Sequence, residues 1–247
     1  MSNLATMAGL MCDADASATA PTPRSVSHLI NSNVKTFPGP KPTGVAVGDD
    51  LRACLVTGIT AGATISPPSG WPSAYYDVTI ASTMRILRFR RVITSGDVAL
   101  SNFTFTASTY VNGCTMMLAA FVGANASQTT PSSGTTQATM QDDPISVTVP
   151  SVSAPSANNL GLVWECFANN ATNFNTTVSF DNGFTQLDIV GNSTASSPVT
   201  RGLVIALATK TLTASGATGD VHSTVGHGGQ SYRRSIYGVN QVTIAPV

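Results

Sequence analysis

The second half of this chain repeats the layout of the first. Residues 48–124 open on "GDDLRACLV", reach an aromatic after the turn "PPSGW", run through "LRFRRVITSGDVALSNFTFT" and close on "MMLAAFVGA". Residues 158–242 open on "NNLGLVWECF", reach "FDNGFTQL", run through "LVIALATKTLTASGATGDVHSTV" and close on "RRSIYGVNQV". Gly70-Trp71 stands opposite Gly183-Phe184, Cys54 opposite Cys166, and Ser95-Gly96 opposite Ser215-Gly216. A period of about 110 to 120 residues is too long for a solenoid unit and implies two related β-units. The expected bounds are 45–124 and 142–247 within one domain over 45–247.

The residues that are scarce tell what these units are made of. Only 10% of the 247 residues are charged, against about 25% in typical soluble domains. Glu165 is the only glutamate, and Lys35, Lys41 and Lys210 are the only lysines. Glu and Lys clothe the solvent faces of helices, so amphipathic surface helices have little to be built from. Thr, Ser, Val, Gly and Asn suit strands and turns. The expected fold is all-β: an antiparallel, jelly-roll-like β-sandwich made of two related halves. With 42% apolar residues the chain can fill a core.

A formal net charge of zero argues against a nucleic-acid partner, which a basic patch would attract. No run approaches the roughly 20 apolar residues of a spanning helix, so no membrane insertion is expected. Low charge density gives little electrostatic protection from association. A symmetric homo-oligomer is therefore expected, a trimer or a ring. The opening "MSNLATMAGLMCDADASATA" lacks a basic n-region and is interrupted by Asp13 and Asp15. The expectation is synthesis in a cytoplasm, with thiols kept reduced. Cys54, Cys114 and Cys166 sit in apolar runs as small buried hydrophobes, and with Cys12 they match no zinc spacing.

Residues 1–44 differ from the rest. They carry Pro21, Pro23, Pro38, Pro40 and Pro42, and such density favours extended backbone that cannot donate to a sheet ladder. The segment is read as an extended N-terminal arm, with one short helix or strand in "RSVSHLINSNV". Leu4, Met7, Leu10, Met11, Leu29 and Ile30 are its candidate docking anchors, since such segments order on contact with a partner. From Val45 strand signals begin, and "SNFTFTAS" alternates Phe103 and Phe105 to one face. Residues 125–141 read as a polar surface loop between the halves, and 191–200 as a second long loop or hairpin tip.

Candidate chemistry is sparse. His222 lies near Asp220 and Ser223, but no nucleophile setting surrounds it, and His227 and His28 read as loop and arm residues. Asp49-Asp50 and Asp142-Asp143 point to opposite faces of a strand, so neither forms a carboxylate dyad. Arg85, Arg88, Arg90 and Arg91 form the densest charge cluster. Arg88, Arg90 and Arg91 are candidates for carboxylate pairing at a sheet face or interface, or for contact with an anionic ligand. Trp71, Tyr75, Tyr76, Tyr110 and Trp164 invite a sugar-platform reading, yet Trp71 and Phe184 each follow a turn and read as core. No catalytic residue, cofactor or metal site is expected, and the chain is not read as an enzyme.

The series "GDDLRACLV…ISPPSGW…LRFRRVITSGDVALSNFTFT…LAAFVGA" resembles a β-sandwich domain of tailed-bacteriophage virion proteins and related phage-derived bacterial proteins. Its second half is matched through Asn182-Gly183-Phe184-Thr185 and Gly216 through Val221, so the resemblance covers roughly residues 44–247. The chain departs from the pattern at "GDDLRA", where Asp50 and Arg52 interrupt an apolar strand. The resemblance implies a non-enzymatic virion protein whose partners are other virion proteins and itself. A tail-tip, fibre or baseplate-associated place is the first reading and capsid decoration the second, with host surface glycan left open as a partner. A secreted carbohydrate-binding module is the alternative from another class.

Overall fold

Apolar runs punctuated by Gly, Pro and Asn become strands, and the turn chemistry sets where each one stops. The computed structural model describes residues 18–58, 63–82, 84–128, 132–140, 144–169, 177–191, 202–226 and 235–247. The first unit holds β1 (Thr22–Asn31), β2 (Val34–Pro40), β3 (Asp50–Gly58), β4 (Ile65–Ser66), β5 (Tyr76–Ile80) and β6 (Met84–Val92). It continues through the single-turn α1 (Ser95–Val98), β7 (Asn102–Val111) and β8 (Gly113–Val122). The second holds β9 (Ser132–Met140), β10 (Ile145–Val149), β11 (Ser153–Ala154), β12 (Asn159–Asn169) and β13 (Thr177–Phe180). After these come β14 (Thr185–Gly191), β15 (Gly202–Leu212), β16 (Gly216–Ala217), β17 (Val221–Gly226) and β18 (Ser235–Ile244). Among the described residues no helix is long and apolar enough to cross a membrane.

The repeat is a repeat of sheet topology. The first unit pairs a sheet of order β1-β8-β3-β6-β5 with one of order β2-β7-β4. The second pairs β9-β18-β12-β15-β14 with β10-β17-β13, and adds the small ladder β11-β16. Every ladder is antiparallel. The pairings nest: β1 with β8, β2 with β7 and β3 with β6, matched by β9 with β18, β10 with β17 and β12 with β15.

Each unit is a sandwich with its own core, and a third core lies between the units. Leu51, Leu55, Phe89, Phe103 and Phe105 fill the first sandwich. Val163, Phe167, Val204, Val221 and Val239 fill the second. The outer faces of the two large sheets then meet through Val56, Ile86, Met117 and Phe121 on one side and Leu162, Trp164, Ile205 and Leu207 on the other. Strands covered on both faces read as unbroken apolar runs, which explains "GCTMMLAAFV" and "GLVIALA". Four layers therefore stack in one body.

Two expectations need correction. Residues 22–40 belong to the sandwich and not to an arm: β1 pairs with β8 from Thr22↔Val122 to Asn31↔Cys114, and β2 pairs with β7. Phe37 of β2 is fully buried in the first core, and Leu29 packs partly against it, whereas Ile30 is exposed. Prolines are admitted because β1 and β2 are edge strands, whose outer side needs no N–H donor. Leu4, Met7, Leu10 and Met11 lie outside the described residues. The polar segment 125–141, read as a loop, contains β9, which adds to the exposed edge of β18. The 191–200 segment lies almost wholly outside the described residues.

The paired aromatics behave alike. The Trp71 N–H donates to the Pro68 carbonyl at 3.1 Å and the Phe184 N–H to that of Asp181 at 3.0 Å, closing four-residue turns. Gly70 and Gly183 occupy the third place at φ 78° and 73°, in the left-handed region glycine adopts freely. Each ring then enters its own core. Trp71 lies 5.2 Å from the Phe103 ring and 5.4 Å from that of Phe105, and Phe184 joins the second core.

Candidate functional site

The seam between the two large sheets gathers Asp50, Arg52 and Arg88, half of the buried charged residues among those described. Four of its strand contacts come in matched pairs, since β1 corresponds to β9, β5 to β14 and β8 to β18: β1 meets β14 and β9 meets β5, while β8 meets β14 and β18 meets β5. The match is incomplete, because β15 packs on β8 and β3 more extensively than β6 packs on β18 and β12. Cys54 of β3 and Cys166 of β12 meet across this seam, with Sγ atoms 3.4 Å apart and both fully buried.

The departure at "GDDLRA" supplies the seam's ionic cluster. Asp50, almost fully buried, accepts from Arg52 at 3.0 Å and 2.7 Å and from Arg90 Nε at 2.9 Å. The remaining N–H groups of Arg90 donate to the carbonyls of Gln128 at 2.9 Å, Asn125 at 3.0 Å and Ala126 at 3.2 Å. Arg90 thus fastens the segment that leads from one unit to the next. Asp49 performs the parallel task for β1, holding Arg24 at 2.7 Å. Arg91 pairs with Asp97 at 3.0 Å and donates to the Gly70 carbonyl, and Arg85 pairs with Asp77 at 2.6 Å. Asp97 is also the acceptor of the Thr94 capping box, and its hydrogen bonds outweigh its burial to keep its carboxyl below the usual range.

Arg88 is different. It is fully buried with its guanidinium 4.6 Å from the Tyr76 ring, and Nη2 lies 3.4 Å from the Trp164 carbonyl and 3.6 Å from Cys166 Sγ. Its Nε and Nη1 have no hydrogen-bond partner among the described residues. The two thiols respond to this charge unequally. Burial raises both, but the hydrogen bond from Cys166 and the Arg88 charge bring Cys54 below its ordinary value. Cys166, buried and donating to Cys54, is held well above it. Burial also raises the phenols of Tyr75 and Tyr76.

At the rim the seam opens into a cleft of about 390 Å³ bounded by Pro72, Tyr75, Arg90, Val92 and Gln128. Arg90 there is saturated by Asp50 and backbone carbonyls, so the cleft offers no free guanidinium to an anion. Arg90 and Arg91 are thus paired with carboxylates of the chain, whereas Arg88 has none among the described residues.

The second sandwich conceals a further group that sequence reasoning passed over. Glu165 is fully buried, and strand alternation points it into the core beside Val163 and Phe167. Neither carboxylate oxygen has a formed hydrogen bond among the described residues, although Ser223 faces it from β17. Burial pushes its pKa to about 7, with Ser223 opposing the rise and Cys166 adding to it. The signal was available: a lone glutamate inside an apolar strand.

The remaining candidates disperse. His222 Nδ1 lies 2.8 Å from Asp181, both half-exposed, and that aspartate also accepts the His222 N–H at 2.6 Å. These bonds keep the Asp181 carboxyl below the usual range. His28 of β1 faces Asp188 of β14 across the seam at 3.9 Å. Trp71 and Trp164 are buried and only Tyr110, at 56%, is well exposed, so the aromatics make no common platform. Asp142-Asp143 and His227 lie outside the described residues. Among the described residues no group of three His, Cys, Asp or Glu side chains gathers as a metal site. No protein-family model matches the chain, and neither curated proteins nor solved structures give a match.

Proposed function

We propose that the protein is a non-enzymatic structural component of a bacteriophage virion, associated with a tail tip, fibre or baseplate. The observation that carries this reading is the seam. Two sandwiches share one apolar core and a buried ionic cluster, which makes a stiff bilobed block suited to bearing load within an assembly. The nested strand pairing supports a jelly-roll-like winding for each unit, although β5 and β14 pair with β6 and β15 and not with the strands before them. The turn-and-core motifs "PPSGW" and "NGFT" support the same family of folds. Docking rests on the residues that precede β1, a shorter arm than residues 1–44, and assembly proceeds through a symmetric homo-oligomer.

The test is to purify particles from cells that encode the protein and locate it by mass spectrometry and electron microscopy. Enrichment with particles at fixed stoichiometry, at a tail or baseplate, is the expected result. Placement over the capsid would favour a decoration role. Recovery only in the soluble fraction, beside fully assembled particles, would overturn the virion reading.

A further inference from the structure

Cys54 and Cys166 stand opposite each other in the sequence repeat, and their side chains meet within the seam. At a 3.4 Å sulfur–sulfur contact one thiol donates and the other accepts. Arg88 stands beside them with two N–H-bearing nitrogens that lack a hydrogen-bond partner among the described residues. A guanidinium this deeply buried requires a counter-charge. The nearby carboxylate of Asp50 is occupied by Arg52 and Arg90. The acidic groups acting on Arg88 are Cys54, Cys166 and the phenols of Tyr75 and Tyr76. Of these the sulfurs ionise most readily.

We infer that Cys54 and Cys166 form an oxidation site at which a peroxide closes a disulfide between the two units, with Arg88 as the positioning residue whose charge stands beside the sulfur pair. In the first step the Cys54 sulfur attacks one peroxide oxygen, breaking the O–O bond and releasing hydroxide to leave a sulfenic acid. In the second the Cys166 sulfur attacks that sulfenic sulfur. The S–O bond breaks, the S–S bond forms, and the Cys166 proton leaves with the oxygen as water. Two electrons pass from the sulfur pair to the peroxide. The unequal thiols described above supply the nucleophile and the resolving group. Because both are buried, the oxidant enters through opening of the seam, and closure is slow compared with an exposed thiol. The bond joins positions 112 residues apart and would convert a non-covalent seam into a covalent one.

The experiment uses the full chain carrying Cys12→Ser, with Cys114 left as an internal reference because it is buried in the first core away from the seam. Folded protein is treated with hydrogen peroxide, unfolded, alkylated and mapped without reduction. The expected result is one cross-linked pair, Cys54 with Cys166, while Cys114 is recovered alkylated. The thermal midpoint should rise by roughly 5 °C or more, reversibly with a dithiol. Cross-linking in wild type should reach half its rate below the usual thiol range near pH ~8.5. Arg88→Lys should keep that profile, and Arg88→Met should move it upward by about one pH unit or more. Recovery of both thiols free after exhaustive treatment, or separate over-oxidation without a cross-link, would overturn the site. A wild-type half-rate at or above the usual thiol range, or an unmoved profile in a folded Arg88→Met protein, would overturn the role of Arg88.

Discussion

In the first sandwich the space between the sheets is filled by rings: Phe37, Trp71, Phe89, Phe103 and Phe105 all lie in one cluster. Among the described residues it also encloses the unpartnered Thr57 hydroxyl, which alternation places on the same face as Leu55. The corresponding space of the second sandwich combines Phe167, Phe184 and Tyr237 with many aliphatic side chains and several polar ones. Glu165, Ser223, Gln241 and Thr243 are all fully buried there with side-chain atoms that lack hydrogen-bond partners among the described residues. Strand plan and turn chemistry are shared, yet the first core encloses a lone hydroxyl among its rings and the second an ionisable group among several polar side chains. A topology fixes where side chains point and leaves open what fills the space, so two copies of one plan can differ in how they respond to conditions.

The largest effect should come from truncation. Removing residues 1–44 takes away β1, β2 and the buried Phe37, leaving β8 and β7 with open edges. We expect this deletion to abolish the first cooperative unfolding transition, whereas removing residues 1–17 should move the midpoint by no more than a few degrees. A midpoint unchanged by the longer deletion would show that β1 and β2 contribute nothing to the first sandwich.

Next is Asp50→Asn, which removes the buried carboxylate that Arg52 and Arg90 share. The expected loss is about 3 to 5 kcal/mol in chemical denaturation, the range for breaking a buried pair from one side. Because the cluster braces the seam, both sandwiches should lose stability together. A loss confined to one of two resolved transitions would mean that the seam does not couple them.

Trp71→Ala and Phe184→Ala compare the cores directly. Deleting Trp71 removes contacts to two neighbouring rings and should cost about 3 to 5 kcal/mol. Phe184, with the Lys210 ammonium 5.7 Å from its ring, should fall at the low end of that range. Equal losses would show that the aromatic filling of the first core adds nothing beyond burial.

The smallest effect expected here is also the most selective. Glu165 has its carboxyl raised from an ordinary 4.5 to about 7 in the folded protein, so the folded state binds the proton more tightly than the unfolded one. Its contribution is complete below about pH 4.5, declines as pH rises and is gone above about pH 7. The total change is on the order of 3 kcal/mol. Glu165→Gln should flatten this part of the stability profile while leaving the first sandwich unaffected. A slope that survives in the variant would place the titrating group elsewhere.

Much of the architecture was legible because backbone and turn chemistry are local. The alternation of Phe103 and Phe105, the run "GCTMMLAAFV" and the glycines of "PSGW" and "DNGF" each carry their own strand or turn signal. What escaped was every segment whose composition argues against a strand. β1 and β2 contain prolines and β9 is almost wholly polar, and all three form because a neighbouring strand offers an unpaired edge. The site was half legible. Cys54 and Cys166 could be aligned with each other, but alignment within a repeat does not say that the two copies touch.

By itself the sequence determined an all-β chain of two matched units, since residue scarcity, period-two patterning and glycine turns need no knowledge of the partner strands. Only the tertiary structure decided how those units meet. Burial on a second face depends on which surface packs against which, and that is a property of the assembled sheets. The same packing brought Arg88 to two sulfurs from different units and shut the lone glutamate into a core. Each group's chemistry then followed from desolvation and neighbouring charge, which distance along a chain does not encode.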